Sequence, residues 1–245
     1  MADSQKHTIQ ADLQPEDFPV LFFDLYGTLI DIRTDEHAAQ TWKKWLRCLD
    51  ACRLLHPSYI QCRRDFFELD RSYREQAAQQ GRFEVPEIDV LPIYKRMLLS
   101  YGNKEELLTD ALLSQISYAF RCASRQRMEL YPGVTEFLLR MRTLGKKLYI
   151  VSNAQASYTQ PEICYFHLDE LTDDRILSSD YSCMKPDPAF FQVMLNRYLL
   201  DPNQVLMLGD SEQNDVIGAQ KAGIRAIHLA GKNHPNSFYL AHSKP

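Results

Sequence analysis

The chain has 245 residues, 45% hydrophobic and 24% charged. That is ordinary globular composition, long enough for one large domain or a domain with an insert. A net charge of −4 argues against a nucleic-acid partner, and no apolar run approaches the ~20 residues of a membrane span.

Residues 1–17 are polar and acidic, unlike a signal peptide, and predict a flexible tail; residues 234–245 predict another. Six cysteines without a small-domain framework fit reduced thiols in a cytoplasmic protein. Cys48 and Cys52 lie one helical turn apart, but no CxxC pair or histidine at ligand spacing accompanies them. Buried thiols explain them better than zinc.

Val20-Leu21-Phe22-Phe23 is an apolar run without alternation, the pattern of a strand buried on both faces. It ends in Asp24. Gly27 then permits backbone angles that other residues avoid, and Thr28 adds a hydroxyl. The period changes after that. Trp42, Trp45, Leu46 and Leu49 mark an amphipathic helix, broken at His56-Pro57. Ser58 with Gln61 resembles a capping box opening a helix to about Gln80, with Gly81 as its stop. Ile93, Tyr94, Met97 and Leu98 form a further stripe, and Asn103 with Glu106 predicts a helix over about 104–126. The stretch from Asp31 to Leu130 thus reads as nearly all helix. Its 32–130 portion carries 16 Lys and Arg against 14 Asp and Glu, whereas the rest carries 12 against 18.

Strand and helix alternate from there. Pro132 predicts a helix start, and Gly145 its stop. Leu148-Tyr149-Ile150-Val151 is a second buried strand, ending in Ser152-Asn153. Helix and loop follow over 163–171, then a short strand at Ile176-Leu177. Asp187 as N-cap with Pro188 behind it opens another helix. Val205-Leu206-Met207-Leu208 ends in Gly209-Asp210-Ser211, a helix runs to Gly223, and Ala226 to Leu229 is a last strand. Repeated strand–helix units predict an α/β fold with a doubly wound parallel sheet, interrupted after its first strand by an all-helical insert.

Asp24, Ser152 with Asn153, Lys185 and Asp210 all fall after predicted strands or in their loops. In a parallel sheet those ends share one edge. A carboxylate there can attack phosphorus, two carboxylates can hold a divalent cation, and a lysine with hydroxyl donors can neutralise a transferring phosphoryl group.

This ordered set resembles the haloacid dehalogenase (HAD) superfamily of hydrolases. The resemblance rests on Asp24-Leu-Tyr-Gly-Thr28-Leu, Ser152-Asn153, Lys185-Pro-Asp-Pro188 with Phe190, Gly209-Asp-Ser211, Asp215-Val-Ile-Gly-Ala219 and Ala222-Gly223-Ile224. It implies a core at 18–31 and 131–233 and a helical C1-type cap at 32–130. It implies Asp24 as a nucleophile forming an aspartyl-phosphate. Mg2+ would be held by Asp24, the Tyr26 carbonyl and Asp210, with Asp215 orienting Lys185 or a metal water. Thr28, Ser152, Asn153 and Lys185 would hold the phosphoryl oxygens of a small phosphate ester.

One position departs from the phosphatase pattern. Family phosphatases place a second aspartate, the general acid and base, where this chain has Tyr26. Tyrosine there is similar to the dehalogenases, which attack carbon without metal. Asp210 and Asp215 point back to metal chemistry. An Mg2+-dependent phosphatase is the expected function; a 2-haloacid dehalogenase and a weakly active or non-catalytic binding protein are the alternatives. Arg63, Arg64, Arg71, Arg74 and Arg82 are candidate anion contacts, and the segment from Glu84 to Val90 a candidate cap loop. Neither substrate identity nor oligomeric state is legible in these patterns.

Overall fold

A computed structural model describes residues 13–229, so the expected tail at 234–245 lies outside the described residues. The strands in chain order are β1 (Val20–Phe23), β2 (Ile30–Thr34), β3 (Arg125–Leu130), β4 (Lys147–Ser152), β5 (Asp174–Leu177), β6 (Val205–Gly209) and β7 (Arg225–His228). The helices are α1 (Ala39–Ala51), α2 (Tyr59–Gln79), α3 (Leu91–Ser100), α4 (Asp110–Ser124), α5 (Val134–Thr143), α6 (Ala156–Tyr165), α7 (Leu168–Leu171) and α8 (Pro188–Tyr198). A π-helical stretch, Glu212–Ile217, leads into the last, α9 (Gly218–Lys221).

Five strands form a parallel sheet in the order β5-β4-β1-β6-β7. β1 is central, with Phe23 opposite Ile150 on one side and Leu208 on the other. Alternate side chains of β1 feed two separate cores. Leu21 and Phe23 pack with Phe137, Leu138 and Met141 of α5. Val20 and Phe22 pack with Phe190, Phe191 and Met194 of α8. Burial on both faces explains why the sequence shows no alternation there. Phe22 and Phe23 are fully buried, and truncating either to alanine is worth about 3–5 kcal/mol. The chain winds from β1 to β4 and β5, then crosses to β6. The strand order therefore reverses beside β1, and the crevice at its carboxyl end is where such sheets place ligands.

The stretch between Asp31 and Leu130 is not all helix. β2 and β3 form an antiparallel ribbon, with Ile30 opposite Leu130 and Ile32 opposite Met128. Ile32, Met128 and Leu130 pack on the sheet's α5-side core, while Asp31 and Arg127 pair at 3.0 Å outside. Arg125-Gln-Arg-Met-Glu-Leu130 carries too few apolar residues to announce a strand, and only its pairing with β2 makes it one. Between the ribbon strands, α1–α4 build their own core around Trp42, Trp45, Phe66, Tyr94 and Phe120.

Three of the described α-helices, α2, α4 and α8, open on a side-chain cap. Ser58 accepts from the Gln61 amide and Asp187 from the Ala189 amide, as expected. The helix expected from residue 104 starts instead at Asp110, capped by Thr109. Asn103 is occupied elsewhere: its amide group ties the Leu55 backbone and Leu98 O. Pro132 precedes α5 by two residues, and Gly133 at φ 84° turns the chain into it. Residues 15–17, expected in a loose tail, form a 3-10 turn in which Glu16 pairs with Arg140 at 2.8 Å. Among the described residues all six cysteines are free thiols, and no helix is long and apolar enough to cross a membrane.

Candidate active site

Asp24 is the first residue past β1, held by its amide donating to Leu208 O of β6. Asp210 and Asp215 follow β6. One carboxylate oxygen from each of the three lies within 4.8 Å of the others. Lys185 completes the cluster. Its ammonium donates to Asp24 Oδ1 at 2.6 Å, to Asp215 Oδ1 at 2.6 Å and to Val151 O at 2.8 Å. The side chain is 98% or more buried and has all three protons engaged. Residues that lie 161 and 30 positions apart from Lys185 meet here, as the shared sheet edge predicts.

Three carboxylates thus face one ammonium. Burial pushes the Asp24 carboxyl up to about 6, against the opposing pull of Lys185, and the charges of Asp215 and Asp210 add to the rise. Burial alone would lower Lys185, but Asp24 and Asp215 outweigh it and hold the ammonium above its usual value. Asp210 is raised, first by burial and then by Asp215. The excess negative charge is the chemistry of a cation site. Asp215 has little left to offer, since its Oδ2 accepts the Ser211 amide at 2.9 Å. Asp24 Oδ2 and Asp210 Oδ2 have no hydrogen-bond partner among the described residues. Nor does the Tyr26 carbonyl. These three oxygens fit a hard divalent cation.

Thr28 is fully buried and hydrogen-bonds Asp210 Oδ1 at 3.3 Å, so it orients a carboxylate and is not open to a phosphoryl oxygen. Asn153 likewise faces another residue. Its Nδ2 donates to Lys185 O at 2.9 Å, and its Oδ1 accepts the Lys185 amide at 2.8 Å. The side chain clamps the backbone that carries the ammonium. Ser152, at the end of β4, has a hydroxyl with no hydrogen-bond partner among the described residues. The Leu25 and Tyr26 amides donate to no group among the described residues and are available as oxyanion donors.

Tyr26, expected among the catalytic groups, turns its phenol away from the cluster. The hydroxyl donates to the Glu162 carboxylate of α6 and lies 3.0 Å from Thr159 Oγ1. Burial raises its pKa well above the ordinary tyrosine value, so it is a poor base at neutral pH. Arg121 of α4 lies 4.9 Å over the Tyr26 ring and donates to Glu162 at 3.1 Å. None of these contacts was visible in sequence, because Arg121 and Glu162 sit on helices where a single charge reads as solvated surface.

The segment 84–90 is strapped onto the sheet domain's loops. Asp187 Oδ2 accepts the Glu84 and Val85 amides at 2.7 and 3.2 Å, while its Oδ1 caps α8. Gln155 accepts the Val90 amide and donates to Ile88 O. Glu87 bridges Ser178 and Arg74. Arg74 is thereby spent, and Arg64 is paired with Asp65.

A phosphoglycolate phosphatase of Haemophilus influenzae (strain 86-028NP) is 28% identical over 144 residues, 56% of this chain but 64% of its own length. The chain thus matches less than two thirds of that relative. A phosphoglycolate phosphatase of Aliivibrio fischeri is 27% identical over 225 residues, covering 89% of this chain and 87% of its own. The fold is similar to that of a 2-haloacid dehalogenase from Pseudomonas syringae pv. Tomato DC3000, with a TM-score of 0.60 at 20% identity over 86% of each chain. The haloacid dehalogenase-like hydrolase profile matches residues 18–223, and the chain belongs to that family.

Proposed function

We propose that the protein is an Mg2+-dependent phosphatase of small phosphomonoesters, acting through an aspartyl-phosphate on Asp24. The observation that carries this reading is the buried ammonium of Lys185 shared between Asp24 and Asp215 beside Asp210. Asp24 attacks phosphorus, the P–O ester bond breaks and the departing alkoxide takes a proton from water; water then attacks phosphorus of the aspartyl-phosphate, releasing inorganic phosphate and regenerating the carboxylate. The Ser152 hydroxyl and the Leu25 and Tyr26 amides would receive phosphoryl oxygens, and Lys185 would balance the negative charge on Asp24. Asp24, Asp210 and the Tyr26 carbonyl would hold the cation, which supplies charge neutralisation when bound. Asp215 and Asn153 hold Lys185 in place.

The reading includes a core at 18–31 and 131–233 and a cap at 32–130, supported by the separate hydrophobic core of α1–α4. The metal-free dehalogenase alternative rests on Tyr26, but it has no use for the paired Asp210 and Asp215. Hydrolysis of an aryl phosphate, with and without Mg2+, tests the proposal. Turnover should require Mg2+ and vanish in Asp24→Asn. Turnover that survives in that variant excludes Asp24 as nucleophile.

A further inference from the structure

A cavity of about 300 Å3 lies between α2, α3 and α4 on one side and α6 on the other. That is the lower end of small-molecule pocket sizes. No member of the carboxylate cluster lines it, but two of its lining residues neighbour residues that flank the cluster. Arg121 on one wall covers the Tyr26 ring. Gln155 on another follows Asn153 by two residues.

Its lining is aromatic. Phe66 and Phe120 are stacked with centroids 5.8 Å apart, and Tyr94 lies 5.3 Å from Phe66. Tyr94 is only 2% exposed, and its hydroxyl has no hydrogen-bond partner among the described residues. The hydroxyl of the half-buried Tyr158 on the facing wall has none among them either. Buried polar groups in native proteins are overwhelmingly hydrogen-bonded, so the unpartnered hydroxyl of the buried Tyr94 points to a ligand in this cavity. The cations nearby are already used: Arg121 by Glu162, and Arg74 by Asp70 and Glu87. Glu36, whose only ion pair among the described residues is a 3.9 Å contact with Arg121, adds a carboxylate to the same wall. The lining therefore offers flat apolar faces and hydrogen-bond acceptors, and it opposes a second anion.

We propose that this cavity receives the leaving group of the phosphate ester, and that this group is an aromatic or heteroaromatic ring bearing an N–H or O–H donor. The assignment rests on the phosphatase reading above. A small acid such as glycolate would bring its carboxylate against Glu36 and leave the rings uncovered.

Binding tests this apart from catalysis. Trp42 has its ring centroid 4.7 Å from Phe120 and 5.6 Å from Phe66, so cavity occupancy is read as a change in tryptophan fluorescence, with calorimetry alongside. The full chain is titrated with 4-aminobenzyl alcohol, benzyl alcohol and glycolate. Both alcohols should saturate and glycolate should not. Tyr94→Phe removes only an unpartnered oxygen, so the variant should fold. It should weaken 4-aminobenzyl alcohol about fivefold and benzyl alcohol less than about twofold. No saturation by either alcohol, glycolate binding as tightly, or equal effects of Tyr94→Phe on both alcohols overturns the assignment. Turnover of 4-aminobenzyl phosphate and phosphoglycolate separates the two readings. Preference for the ring ester supports the assignment. Phosphoglycolate turnover without ring binding overturns the cavity's role and keeps the phosphatase. Ring binding with neither ester hydrolysed overturns the phosphatase reading and the leaving-group role with it.

Discussion

Gly27 and the Asp210 carboxylate occupy adjoining space with no room for a methyl group between them. A Cβ built on Gly27 falls 2.4 Å from Asp210 Oδ2. Gly209 stands in the same relation to Asp215, at 2.3 Å from its carboxyl carbon. Two glycines, one past the end of β1 and one ending β6, thus set how closely these carboxylates approach Asp24. Gly27 also sits at φ 92°, where an L side chain is strained. Gly27→Ala should displace Asp210 and lower kcat/KM by about a hundredfold, since ångström-scale misplacement has that effect. A variant with unchanged kinetics on an aryl phosphate would show that Asp210 can move without consequence.

Lys185→Met removes the one cation buried against Asp24 and Asp215. Breaking a buried pair leaves uncompensated charge, worth about 3–5 kcal/mol of lost stability. The loss should ease on acidification, because the stranded carboxylates then take up protons. Urea midpoints at pH 5 and pH 8 check this: the gap between wild type and variant should be smaller at pH 5.

Asp24 gives a prediction of opposite sign. Its carboxyl is raised to about 6 in the folded protein, against about 3.9 in an unfolded chain. The folded state therefore holds this proton more tightly. The resulting stability is complete below pH 4 and is lost as pH rises through about 6. Asp24→Asn, which keeps an oxygen for Lys185, escapes that loss. In a chelating buffer the variant should match wild type near pH 4 and exceed it above pH 7, on the order of 2 kcal/mol, read as a higher Tm. The same variant should be inactive. A Tm difference that does not change with pH would remove the charge argument.

The difference between what was and was not legible in sequence follows from locality. β1, β4 and β6 are continuous apolar runs because both their faces are covered, and that pattern survives without any partner in view. The polar residues at their ends are readable for the same reason. β3 was not legible, since Arg125, Arg127 and Glu129 are strand residues only by virtue of pairing with β2. Within the site, Asp24, Lys185 and Asp215 meet through their side chains, whereas Asn153 and Thr28 are committed to Lys185 and Asp210. A motif names the residue types but not which neighbour takes their hydrogen bonds. Glu162, Arg121 and the clamps at Gln155 and Asp187 depend on contacts across the fold that no local pattern records.

Tyr26→Phe separates a structural phenol from a catalytic one. The hydroxyl donates to a fully buried Glu162, which keeps Arg121 as a partner when the phenol is gone. Losing a hydrogen bond to a charged group should lower stability by about 1–3 kcal/mol. Turnover of an aryl phosphate should change by less than about threefold, because loss of a working acid or base has an effect of order 10²–10⁴. A fall of that size, with the fold intact by circular dichroism, would place the phenol in the reaction.

Cation binding can be read without catalysis. A ligand bound only by the folded state stabilises it by about 2.7 kcal/mol at a hundred times its Kd. Mg2+ should therefore raise Tm in wild type, and chelation should reverse the rise. Asp210 is exposed, and among the described residues its carboxylate's one side-chain hydrogen bond is that from Thr28 at 3.3 Å. Asp210→Asn should thus leave the metal-free Tm within a few degrees while removing most of the Mg2+ effect. Asp215→Asn should behave differently: it breaks the contacts to Lys185 and to the Ser211 amide and should lower the metal-free Tm as well. Equal Mg2+ shifts in wild type and Asp210→Asn would place the cation somewhere other than between Asp24 and Asp210.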